Sequence, residues 1–228
     1  MSSKLNTLSV VNVPAAGDGS EKVVKLSRAE RNEATKRKLF DAAAKVVGRH
    51  GYAEASVARI TSEAGVAQGT FYNHFTNRQE LLDQLLPTIG QDMVRFIRER
   101  TRSDGVEALK EADRFGAFFA FLKEVPEFLR ILNEAEFFAP AGYQLHLDLV
   151  AATYSRLFKR GRDKGEVGDF SDDEIEALVH MFMGARGYLS RRYAYDAESV
   201  HAVPDHVLSA YAKLLGGGLF TRPGTTAD

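Results

Sequence analysis

The stretch SVARITSEAGVAQGTFYNHFTNRQELL, from Ser56 to Leu82, constrains the fold more than any other part of the sequence. Ser56 is a good N-cap for a short helix whose Val57, Ile60 and Ala64 share one side. Gly65 ends that helix, and a third short helix is expected over Ala67–Phe75. Helices this short are not stable alone in water, so both must lean on a larger element. The preceding segment supplies it. From Ala29 to Arg49, the side chains of Leu39, Ala43, Val46 and Val47 fall on one helical stripe, and Gly51 stands where a stop is expected.

Two short helices across a tight glycine turn are the layout of a helix-turn-helix, in which the first braces the second so that the second enters a DNA groove. In the third helix Phe71 and Phe75 point to the core side, and Asn73 lies opposite, flanked by Gly69, Thr70 and Tyr72. Glycine inside a helix costs about 1 kcal/mol relative to alanine. A missing side chain at Gly69 repays that by letting the backbone approach DNA closely. Gln68 and Asn73 carry amides, which pair well with adenine edges. Charge agrees with this placement. The chain as a whole is at −1, yet residues 21–80 hold 11 Lys/Arg against 7 Asp/Glu, while residues 81–228 hold 18 against 23. A basic front on an acidic body meets phosphates at one end only.

Helical periodicity continues to residue 215 without a strand-like alternation or an internal repeat. Thr76 with Gln79 reads as a capping box opening a fourth helix, whose Leu82, Leu85, Leu86, Ile89, Met93, Phe96 and Ile97 are in register, with Pro87 expected to kink it. Further helices are expected over 105–124, 126–138 (Pro126 at N1), 141–164, 172–195 behind a Ser171–Glu174 capping box, and 205–215. The fold class is therefore all-α with nine helices. Residues 1–27 read as a mobile arm, 28–80 as the helix-turn-helix domain, 81–215 as a ligand-binding and dimerisation domain, and 216–228 as a disordered tail. Neither a sustained apolar leader nor a run of the roughly 20 apolar residues that a membrane helix needs is present. With zero cysteines, disulfides, thiol catalysis and cysteine-held metals are excluded. A cytoplasmic protein with no membrane partner is expected.

The order and spacing of Gly51-Tyr52, Ser56-Val57, Ile60, Ala64-Gly65-Val66, Gly69-Thr70-Phe71-Tyr72, His74-Phe75 and Leu81 resemble the tetracycline-repressor (TetR) family over residues 35–82. The resemblance implies a two-domain, nine-helix subunit, a homodimer on double-stranded operator DNA, and repression relieved by a small-molecule effector. It implies phosphate contacts for Thr70, Tyr72, His74 and Arg78, and an approach to bases for Gln68, Gly69 and Asn73. The chain departs from the family in two places: Ala67 replaces the usual serine and caps poorly, and Thr61 replaces the usual alanine.

Seven of fifteen phenylalanines fall between 115 and 138. Core packing is their default role. In the family the same helices wall the effector cavity, so an aromatic or lipophilic ligand is expected, against Phe115, Phe119, Leu132, Glu136, Tyr143, His146, Tyr154, Phe182 and Arg186. Arg186 sits inside the apolar stripe of Ile175, Val179, Phe182 and Leu189. It reads either as half of an internal salt bridge, with Glu134 or Glu136, or as the anchor of an anionic ligand. The six histidines show no zinc-ligand spacing, so neither metal nor cofactor is expected. A helical enzyme using Glu134, Glu136 and His146 is the rival in another class, and it has no nucleophile or cofactor signature. A scaffold that binds only protein is a second rival, separated by DNA binding itself. Dimerisation is expected through the last two long helices, by a Gly184/Gly187 face and by Val207, Leu208, Tyr211, Leu214 and Leu215.

Overall fold

The computed structural model describes residues 27–101, 104–195 and 199–218. They form α1 (Arg28–His50), α2 (Val57–Ala64), α3 (Gln68–Tyr72), α4 (Arg78–Arg100), α5 (Glu107–Glu124), α6 (Phe128–Phe138), α7 (Pro140–Asp163), α8 (Asp172–Leu189) and α9 (Asp205–Gly217). A π-helical turn, Ser190–Ala194, prolongs α8. Among the described residues the one strand-like pairing is an isolated bridge between Tyr195 and Val200. The fold is all-α, as the periodicity indicates. Lys22 and Lys25 of the expected arm, and the expected tail beyond Gly218, lie outside the described residues.

Several helix ends differ from the sequence expectation, each for a local reason. Ser27 opens α1, because its hydroxyl accepts from Glu30 N–H while the Glu30 carboxylate accepts from Ser27 N–H. The cap of α4 is Asn77 rather than Thr76: Asn77 Oδ1 accepts from Glu80 N–H at 2.9 Å, and Glu80, not Gln79, reaches back to Thr76 N–H. Pro126 lies in a turn ahead of α6, so it is not at N1. Pro140 takes that place at the start of α7. The α3 helix stops at Tyr72, with Asn73 as its C-cap, three residues short of Phe75.

The apolar stripes of α1, α2 and α3 meet where Leu39, Val47, Ile60, Phe71 and Phe75 are buried. Phe40 and Phe71 both pack on Phe75, at ring-centroid distances of 5.4 Å. The α4 helix carries this core onward without a break, burying Leu81, Leu82, Leu85 and Leu86 beside the short helices and Met93 and Ile97 at its far end. Residue 80, the expected domain boundary, therefore falls inside a helix that belongs to both halves. Crossing α4, α7 approaches closely through two small features. Pro87 donates no N–H to the Asp83 carbonyl, and Gly142 of α7 lies against that carbonyl so tightly that a Cβ there would stand 2.1 Å from the oxygen. One turn further along each helix, Gly90 leaves room for the His146 ring.

Candidate nucleic-acid interface and ligand cavity

The turn between α2 and α3 is set by Gly65, whose φ of 67° lies in the left-handed region that favours glycine. Ser56 caps α2 by accepting from Arg59 N–H. Thr61, the departure in the bracing helix, is buried but satisfied, its hydroxyl donating to the Val57 carbonyl at 2.9 Å. Ala67 makes no side-chain cap on α3. With Phe71 and Phe75 fixed in the core, Gln68, Gly69, Tyr72 and Asn73 are exposed, and Thr70 and His74 are half-buried. Tyr72 keeps 59% of its surface accessible. A Cβ at Gly69 would meet nothing within 4 Å. The protein's own packing therefore gives no reason for glycine at that position.

Arg78 is placed differently from a free phosphate contact. Its Nε donates to the Ala55 carbonyl at 2.7 Å, and a terminal nitrogen donates to the Tyr52 and Ala53 carbonyls. It ties the start of α4 to the loop between α1 and α2. The sequence also gave no hint of a second tie. Arg130 on α6 donates to the Gly48 and Arg49 carbonyls, both at 3.1 Å, and to Glu134 at 2.7 Å. Glu134 in turn accepts from Tyr52 N–H at 2.8 Å. Together they clasp the C-terminal end of α1. Arg130 and Glu134 are four apart on one helix face, but so are many surface pairs, so spacing alone did not mark them.

Behind this front lies a cavity of about 920 Å³ between α4, α5, α6, α7 and α8. Leu132, Glu136, Tyr143, His146, Tyr154 and Arg186 line it. The other three expected contacts do not. Phe115 is buried against Tyr211 at 3.8 Å between rings, Phe119 against Phe115 and Phe118, and Phe182 packs on Phe158 and Tyr211. These rings sit on the faces of α5 and α8 that serve the core. The α4 helix, which the expectation omitted, supplies Met93, Val94 and Ile97 instead. With Leu129, Leu147, Val150, Leu157 and Met183 added, the wall is more aliphatic than aromatic. Exposed Arg98, Asn133, His180 and Arg191 mark the rim. Arg98 and Arg191 have no hydrogen-bond or ion-pair partner among the described residues. His146 is buried, and burial lowers its pKa to about 4, so the ring is neutral at ordinary pH.

Arg186 is 5% exposed and does form an internal salt bridge, but with Glu111 of α5 rather than with Glu134 or Glu136. Glu111 also accepts from Tyr211 of α9 at 2.9 Å and pairs with Arg114, which pairs with Glu107. Glu107, Glu111 and Arg114 are a charged run within the stripe of Phe118 and Leu122 on α5. Charges inside an apolar stripe were the available signal. Among the described residues no group of three or more His, Asp or Glu could hold a metal, and no helix is long and apolar enough to cross a membrane.

An exposed polar face on the second of two short helices, joined by one long helix to a cavity-bearing helical body, defines a helix-turn-helix protein of the two-part, all-helical class. Residues 39–85 match the model of the bacterial regulatory proteins of the tetR family, which assigns the helix-turn-helix segment to that family. Over 66 residues the chain is 38% identical to the fatty acid metabolism regulator protein of Bacillus subtilis, covering 29% of this chain and 32% of that protein. Over 139 residues it is 28% identical to the HTH-type transcriptional activator FasR of Mycolicibacterium smegmatis, covering 60% and 61%. The chain thus spans less than two thirds of the length of these relatives. The structure of the transcriptional regulator FadR from Bacillus subtilis in complex with stearoyl-CoA matches with a TM-score of 0.67 at 21% identity, over 81% of this chain and 99% of that one. At that identity the match shows the shared fold.

Proposed function

We propose that the protein is a dimeric transcription regulator that binds operator DNA through α3 and releases it when a long acyl chain, carried as its CoA thioester, enters the cavity. One observation carries the DNA reading: Gly69 sits exposed in the first turn of α3 with nothing near its missing side chain, between the exposed amides of Gln68 and Asn73. Tyr72, Thr70 and His74 would contact phosphates beside it. Arg78 positions the motif through its carbonyl contacts. The acyl reading is supported by the aliphatic wall, by the unpartnered rim arginines Arg98 and Arg191 that suit phosphates, and by the relatives whose names concern fatty acids. Of the two expected classes, aromatic and lipophilic, this wall fits the lipophilic one better.

Two helices reach both sites. The α4 helix lines the cavity with Met93 and Ile97 and anchors Arg78 at its other end, and α6 lines it with Leu129 and Leu132 while Arg130 and Glu134 clasp α1. Ligand bound between them favours an arrangement in which the two α3 helices of a dimer no longer match the half-site spacing. The test is a mobility shift on DNA upstream of the protein's own gene. A shift is expected that micromolar stearoyl-CoA abolishes, and CoA alone does not. Absence of any shift on that DNA would refute the DNA reading. A shift insensitive to stearoyl-CoA would refute the effector.

A further inference from the structure

Arg114 and Arg186, which line the cavity, pair with two buried carboxylates outside its lining, Glu107 and Glu111. Their charges sum to zero. The terminal nitrogens of Arg186 are used, one on Glu111 and one on the Phe182 carbonyl at 3.2 Å. Its Nε is not. That N–H is buried and has no hydrogen-bond partner, although Arg186 lines the cavity. A charged donor left without an acceptor away from water is costly, and native structures seldom retain one without a use. The guanidinium is held in place: the Tyr154 ring lies 4.9 Å from its carbon and the Phe115 ring 5.5 Å. Burial opposes the charge, but the Glu111 carboxylate bonded to the guanidinium favours it. Burial also raises the Tyr154 pKa, so its phenol stays protonated.

The charge balance decides what this donor takes. A carboxylate placed here would leave the cluster at −1 in a poorly solvated site, whereas a neutral oxygen accepts the N–H and leaves the sum at zero. We propose that Arg186 Nε reads a neutral oxygen, a hydroxyl or ketone, on the effector's chain, so that the cavity selects oxygenated acyl groups over plain saturated ones. This deepens the acyl reading above and rests on it. It also assigns the arginine a task other than anchoring the ligand's acid.

Calorimetry on the full chain tests this with stearoyl-CoA and a set of hydroxystearoyl-CoA thioesters whose hydroxyl is walked along the chain. At one position, or two adjacent ones, binding about tenfold tighter than stearoyl-CoA is expected, the worth of one well-placed bond to a charged donor. Arg186→Lys keeps a cation for Glu111 and deletes the Nε–H. The ratio of hydroxylated to plain affinity should then fall to near one, whatever the absolute affinities become. If the variant does not fold, the position dependence in the unaltered protein decides alone. A flat series with tight binding throughout would overturn the selection and leave the acyl effector standing, whereas no binding by any thioester would overturn both.

Discussion

Gly69 allows stability and function to be separated at one residue. Because a Cβ there meets nothing, Gly69→Ala should leave the fold intact and raise its stability by up to about 1 kcal/mol, read as a higher melting temperature. The same change should weaken operator binding, since the methyl group stands where a DNA strand would approach. Unimpaired binding would refute the close approach. Tyr72→Ala should weaken binding on every sequence alike, whereas Asn73→Ala should change sequence preference by about 1–3 kcal/mol. His146 gives a pH signature. Its folded pKa of about 4 is below its ordinary 6.5, so the unfolded chain binds the extra proton between those values. Stability contributed by keeping this ring neutral is intact above 6.5 and is lost as the pH falls through 4, by on the order of 3 kcal/mol. Denaturant titrations should show that loss in the parent and a shallower one in His146→Asn. Inward and outward positions on α3 were legible in the sequence, because Phe71 and Phe75 leave one helical solution. The role of Arg78 was not, because its partners are backbone carbonyls of a loop whose path depends on the whole three-helix packing.

At the scale of elements, the closest joint is that of α4 with α7. A methyl group on Gly142 would run into the Asp83 carbonyl, which is backbone and has no rotamer to turn away. Gly142→Ala should therefore cost about 1–3 kcal/mol, the usual range for forcing extra atoms into a packed interface. A melting curve that does not move would argue against this crossing. Helix number and most helix lengths could be read from 3.6-residue periodicity. The crossing could not, because it depends on a glycine seated on the Asp83 carbonyl, 59 residues away in sequence, a meeting that no local pattern records. Cavity membership failed at three of the nine expected positions for the same reason. Phe115, Phe119 and Phe182 are apolar residues on the right helices, and only the rotation of each helix against its neighbours decides which side of the wall they serve.

For the whole molecule, α8 and α9 divide their apolar surface. Val207 and Tyr211 are buried within the subunit, while Met181, Tyr188 and Leu214 remain 66%, 64% and 50% exposed. The proposed dimer would cover the exposed set, whereas Gly184 and Gly187, expected on the dimer face, line the cavity instead. Met181→Glu together with Tyr188→Glu should then yield a folded monomer in sedimentation, with helical circular dichroism retained and operator binding lost. A parent protein that sediments as a monomer at micromolar concentration would remove that reading. Pro87 adds a mechanical consequence. It sits near the middle of α4, with Arg78 on one side and Ile97 on the other, at distances of roughly 14 and 15 Å along the axis. Gripped by α7 at Asp83 and at Gly90, on either side of Pro87, such a rod would act as a balanced lever about a central fulcrum. A displacement at the cavity end comes back at the Arg78 end with equal size and reversed direction, so the helix transmits without gain. In the proposed mechanism, sensitivity to ligand would then come from how small a misfit in half-site spacing the DNA tolerates.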